Sequence, residues 1–192
     1  MKRRIINILA ALGVLGLILT GAAYFQGWRA TQRFDPKATQ VMADFARRAI
    51  ESNVASASVV KMPLADGVSA KQAAAAMIQR ATQRNIELLN RLAFDKEVRA
   101  RTGKPYPYVE IFQFCDPLTA AALLEYNQDF VAFMPCHIAM YEDPAGKYWL
   151  ITMNLDLLIH GGPELDPELK SRVLALKEGI LDIMAAGAAG SP

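Results

Sequence analysis

Apolar positions follow one another almost without interruption from Ile5 to Phe25, and no charged side chain occurs between Arg4 and Arg29. At about 1.5 Å per residue, a helix over that run spans about 30 Å, the thickness of a bilayer's hydrocarbon core. Lipid offers no partner to an unpaired backbone group, so an α-helix is the form the run must take there. Tyr24, Phe25 and Trp28 gather at its far end, where aromatic rings favour the headgroup zone. Lys2, Arg3 and Arg4 precede it, and the positive-inside rule keeps that end cytoplasmic with the rest of the chain outside. A cleaved signal peptide is the rival reading, because Gly21-Ala22-Ala23 offers small residues for cleavage. The apolar run exceeds the usual signal length of about 7–15 residues, which favours a retained anchor over residues 1–28.

The rhythm then changes. Residues 29–53 form a linker in which Asp35-Pro36 has the signature of an N-cap and first-turn proline. Val41, Met42, Phe45, Ala46, Ala49 and Ile50 follow at helical spacing. A compact domain is expected over residues 54–186, opening with a strand over Val54 to Met62. Ser69 and Gln72 have capping-box spacing, which starts a helix reaching about Arg84. Ile86 to Ala93 reads as a strand and leads to a short helical piece up to Arg101. Val109 to Cys115, apolar on both faces, reads as an interior strand. Asp116-Pro117 repeats the cap-and-proline signal for a helix.

Cys136 to Glu142 and Lys147 to Met153 form a hairpin about the turn Asp143-Pro144-Ala145-Gly146. Asp166-Pro167 starts the last helix, with Leu169, Val173, Leu176, Ile180 and Ile183 in one stripe. Residues 187–192 read as a frayed tail. The order strand–helix–strand–strand–helix–hairpin–helix predicts an α+β fold in two layers, a largely antiparallel sheet with helices packed on one face.

Charge narrows the function classes. The 192 residues carry 21 Lys and Arg against 19 Asp and Glu, a formal net charge of +2. Without Lys2, Arg3 and Arg4 the balance is 18 against 19, which disfavours nucleic-acid binding, a role that needs a concentrated basic face. Two cysteines, Cys115 and Cys136, are too few for a disulfide scaffold or a four-cysteine zinc site. There is no glycine-rich phosphate loop, no G-x-S-x-G elbow and no C-x-x-C-H haem motif, so no catalytic residue is assigned.

Three residues remain as binding or redox candidates: Cys115, Cys136 and His160. Cys115 ends a strand just before an N-capping aspartate, and Cys136 opens the next strand. The pair is open to three readings: buried thiols acting as small hydrophobes, one disulfide, or a ligand or redox pair. His137 adjoins Cys136, but strand alternation points the two side chains to opposite faces. His160 precedes Gly161-Gly162 in an expected chain break, from which it could approach either cysteine. Together the three would supply soft or borderline donors for zinc, copper or haem iron, although no close ligand spacing supports such a site. The expectation is therefore that no metal or other cofactor is tightly bound.

From Phe114-Cys115-Asp116-Pro117 through Met134-Pro135-Cys136, Glu142-Asp143 and Trp149-Leu150, the chain resembles a bacterial family called domain of unknown function 302. The resemblance continues through Met153-Asn154 and Ile159-His160-Gly161-Gly162 and covers about Val54 to Met184. Thr102-Gly103-Lys104-Pro105-Tyr106 is similar to the family's membrane-anchored branch. The resemblance implies a TATA-binding-protein-like α+β fold and supplies no catalytic residue. In a bacterium the domain would sit in the periplasm, held by one pass through the inner membrane. The expected function is a non-catalytic accessory or binding protein, its partner a membrane complex of respiratory or sulfur metabolism, or an apolar ligand. The alternative is a redox, metal or haem protein using the cysteine pair and a histidine.

Overall fold

A computed structural model describes residues 2–191, without the side chains of residues 2, 4–12, 30 and 31. Its helices are α1 (Lys2–Thr31), α2 (Ala38–Glu51), α3 (Val54–Ala57), α4 (Ala70–Gln83), α5 (Phe94–Thr102), α6 (Pro117–Tyr126), α7 (Asp156–His160) and α8 (Pro167–Ala189). Its strands are β1 (Val59–Pro63), β2 (Glu87–Ala93), β3 (Val109–Cys115), β4 (Cys136–Glu142) and β5 (Tyr148–Met153).

The expected membrane span falls partly on side chains outside the described residues. Among those described, no helix is long and apolar enough to cross a membrane. Val14, Leu15, Leu17, Ile18, Leu19, Tyr24, Phe25 and Trp28 of α1 are all at least half exposed. Thr20 Oγ1 donates to Gly16 O at 2.7 Å, so the hydroxyl is satisfied inside its own helix.

Among the described residues the strands form a five-stranded sheet in the order β1-β5-β4-β3-β2, with every neighbouring pair antiparallel. Side chains alternate between its faces. Phe112 and Phe114 of β3, Ile138 and Met140 of β4 and Leu150 of β5 point to one face and are fully buried. They pack against Met77 of α4 and Ile180, Ile183 and Met184 of α8. The opposite face carries Ile111, Ala139 and Ile151 side by side in register. The α+β fold with a largely antiparallel sheet therefore stands.

Local signals explain most boundaries. Ser69 accepts from the Gln72 N–H while Gln72 Oε1 accepts from the Ser69 N–H, so the capping box forms and starts α4. Asp116 and Asp166 each accept two N–H groups in the first turn of α6 and α8, and proline follows both. Across the α4–α8 seam, Asp182 receives Arg80 at 2.9 Å and Arg84 at 2.7 Å. The Arg80 hydrogen bond leads in holding its carboxyl below the ordinary range, against burial.

Three expectations are corrected. The strand expected from Val54 begins at Val59, because Asn53 accepts from the Ser56 N–H at 2.8 Å and caps the short α3 first. Asp35 is not the N-cap of α2; Lys37 holds that position, and the Asp35 carboxylate faces the domain. The tail is not frayed from residue 187: α8 continues to Ala189, Gly187 is buried, and Ala65 N–H donates to Ala188 O at 2.8 Å. Gly190 then ends the helix at φ +69, where a side chain would be strained.

Candidate functional site

At one end of the sheet, β3 stops at Cys115 and β4 starts at Cys136, which lies opposite Phe114 in register. Between them the chain makes α6 and a 3₁₀ turn, Gln128–Phe133, then crosses a cis Met134–Pro135 peptide into β4. This excursion roofs an apolar cavity. Phe114, Cys115, Met134 and Cys136 line it from the strand ends. Leu123 of α6 and Phe130 and Phe133 of the turn line it from the roof. Ile159, Val173 and Leu176 close it from α7 and α8. Its volume, counted as space open to the centres of water-sized spheres, is ≈ 40 Å³. One such sphere needs roughly 10–15 Å³, so the cavity holds a small group such as a side-chain tip and not an acyl chain.

Both cysteines border this cavity, but Cys136 shares the sheet face of Phe114 and strand alternation turns Cys115 to the other face. Both are free thiols. Burial pushes Cys136 up to about 11, and the neighbouring Cys115 adds to the shift. Burial also raises Cys115, with Asp116 and Glu87 acting in the same direction. The α6 N-terminus does not activate Cys115, because Asp116 occupies the first-turn N–H groups and brings its own negative charge. Neither thiol has the depressed value of a nucleophile or redox cysteine. His137 is exposed on the face away from Cys136, as alternation requires.

His160 does not join the cysteines. It is 3% exposed, in the last turn of α7, and its Nδ1 lies 3.0 Å from Asp35 Oδ2. Lys170 Nζ reaches the same oxygen at 2.6 Å and Glu164 at 2.7 Å. His160 Nδ1 and Lys170 Nζ thus converge on one buried carboxylate oxygen. Burial pushes the Asp35 carboxyl up, but Lys170, His160 and the Lys37 N–H outweigh it and hold the group well below the usual carboxylate range. Lys170 is raised in turn, by Asp35 first and Glu164 second. The expected chain break at His160 is a buried latch. Asp35 N–H donates to Gly162 O at 3.0 Å, and Glu164 N–H donates to Arg33 O at 3.0 Å.

Sequence reasoning missed Asp35 and Lys170 because both look like ordinary helix-end charges. It missed Phe130 and Phe133 because a six-residue 3₁₀ turn carries no periodic signal. Residues 60–186 match the model of a family described as Domain of unknown function DUF302. The chain belongs to the DUF302 family. The match begins inside β1 and ends inside α8, so α1, α2 and the Asp35 side of the latch lie outside it. Among solved structures, the DUF302 chain is similar to an uncharacterized conserved DUF302 protein from Bacillus stearothermophilus. Identity is 15%, coverage is 67% of this chain and 96% of that one, and the TM-score is 0.56. That likeness concerns the fold alone. No curated protein matches the chain.

Proposed function

We propose that this DUF302 chain is a membrane-anchored, periplasm-facing, non-catalytic accessory protein that docks a partner membrane protein at the cavity under α6. The carrying observation is the pairing of a small apolar cavity with exposed apolar residues on the elements that roof it. Leu118 is 76% exposed, Val131 61% and Phe133 41%. A pocket for one side-chain tip ringed by apolar surface is the usual form of an interface hot spot. Asp116 lines it, and residues 116–135, which also carry Glu125 and Asp129, contain no Lys or Arg. The favoured partner surface is therefore one apolar anchor side chain flanked by Lys or Arg.

Placement rests on α1. Its exposed apolar side chains need cover, a bilayer supplies it, and Lys2, Arg3 and Arg4 orient it. The TATA-binding-protein-like layout implied by the family resemblance suits this reading, since such a sheet displays a binding surface without committing it to nucleic acid. A partner in a respiratory or sulfur-metabolising complex of the same membrane fits the tether.

A charge placed on the apolar rim tests the reading. Leu118→Glu and Val131→Glu, each on an exposed position, should leave folding intact and abolish co-purification of the partner from solubilised membranes. Raising salt should weaken the wild-type association. Co-purification unchanged in both variants would refute docking at this rim.

A further inference from the structure

We infer, resting on the anchored reading of α1, that the exposed flank of α2 is an interfacial membrane contact. Met42, Ala46 and Ile50, continued by Val54 of α3, lie in the anionic headgroup zone of the bilayer that α1 enters. Met42, Ala46 and Ile50 stand four residues apart, so they share one line along the helix. Ile50 and Val54 are well over half exposed, Met42 is nearly half exposed, and Ala46 is exposed between them. One residue before each, Val41, Phe45 and Ala49 form a second line that is half-buried, and α2 packs against α3 and α7. The apolar arc of α2 is thus two stripes wide, and the domain covers one of them.

Position and charge both point to lipid. Residues 32–37 alone separate α1 from α2, a reach of at most about 25 Å even when extended. That segment is also bonded to the domain, since Arg33 O accepts from Glu164 N–H and Asp35 N–H donates to Gly162 O, so α2 is held beside the end of α1. Residues 29–48 carry Arg29, Arg33, Lys37, Arg47 and Arg48 against Asp35 and Asp44. Asp35 is turned into the latch, and Asp44 lies 3.4 Å and Glu51 3.8 Å from Arg47. The positive excess therefore sits in the stretch leading from α1 into α2. An amphipathic helix with basic residues beside it sinks its apolar face about 5–10 Å into the headgroup boundary, and each nearby cation strengthens attachment to anionic lipid. Phe34, nearly half exposed, adds an aromatic ring between α1 and α2, a residue type suited to that zone.

The test uses the full-length protein in vesicles of phosphatidylethanolamine and phosphatidylglycerol whose lipids are brominated at a chosen depth. An environment-sensitive fluorescent amino acid replaces Ile18, Met42, Asp44 or Ile50, all exposed side chains. Ile18 should be quenched by deep bromine, and Met42 and Ile50 by bromine just below the headgroups. Asp44, on the far side of α2, should be quenched much less than either. Replacing phosphatidylglycerol with phosphatidylcholine should lower quenching at Ile50 and leave it unchanged at Ile18. Equal quenching at Ile50 in both lipids would overturn the anionic contact. Quenching at Ile18 with none at Met42 and Ile50 would overturn the interfacial contact and leave the anchor standing. No quenching at any position, with native circular dichroism, would overturn both. Shielding of Ile50 from an aqueous quencher without quenching by bromine would mean that a protein, such as a second copy of this chain, covers the flank, and would overturn the lipid contact.

Discussion

Asp35 Oδ2 stands 3.0 Å from His160 Nδ1, with both side chains almost wholly buried, so the segment before α2 is held against the last turn of α7. Removing one partner of such a pair leaves the others buried without compensation. Asp35→Asn is expected to cost about 3 kcal/mol or more in urea unfolding. His137→Ala, on an exposed side chain, should stay within about 0.5 kcal/mol. Equal, small effects would mean that the latch contributes nothing.

The same carboxylate gives a pH signature. The folded-state value of Asp35 lies below its unfolded value near ~3.9, so its contribution is full above that pH and is lost as pH falls through the folded value. Lys170 is shifted up, so its contribution is full below ~10.4 and is lost as pH rises through the raised value. Wild type should lose more stability than Asp35→Asn between about pH 5 and pH 2. Parallel curves for the two proteins would contradict the assignment.

Truncation follows from the same contacts. A chain beginning at Arg33 keeps the Arg33–Glu164 and Asp35–Gly162 backbone bonds, whereas one beginning at Val54 loses both and strands His160 beside Lys170. The longer fragment should melt well above the shorter one by circular dichroism. Coincident melting would return the linker to the role of a spacer.

Gly187 carries an expectation in which two effects oppose. On propensity alone, Ala in place of Gly favours a helix by about 1 kcal/mol. A methyl group at 187, however, would meet Met77 Cγ at 2.5 Å and Leu150 Cδ1 at 3.0 Å inside the core. Overpacking of that kind costs about 1–3 kcal/mol, so Gly187→Ala should be net destabilising in chemical unfolding. A stabilised variant would support a loose tail.

These cases show what the sequence discloses. The caps at Ser69, Asp116 and Asp166 and the strands β3 to β5 are local: each depends on neighbours within a few residues, and the structure forms each where the sequence predicts it. Asp35 was misread because cap and latch use the same carboxylate, and only the folded chain brings His160 and Lys170 to it. Gly187 was misread because its constraint comes from α4 and β5, not from its own helix. Cys115 and Cys136 were legible as a pair at adjoining strand ends, whereas Met134 and the roof over them emerge only when the 3₁₀ turn closes.

Docking at the roof of the cavity is tested most directly by a photo-crosslinking side chain placed at Val131 in intact membranes, with Ile50 of α2, 86% exposed, as the control position. The account requires a discrete adduct from Val131 that Leu118→Glu removes, that high salt weakens, and that Ile50 does not give. Adducts of equal yield from both positions, or a Val131 adduct indifferent to Leu118→Glu, would contradict it.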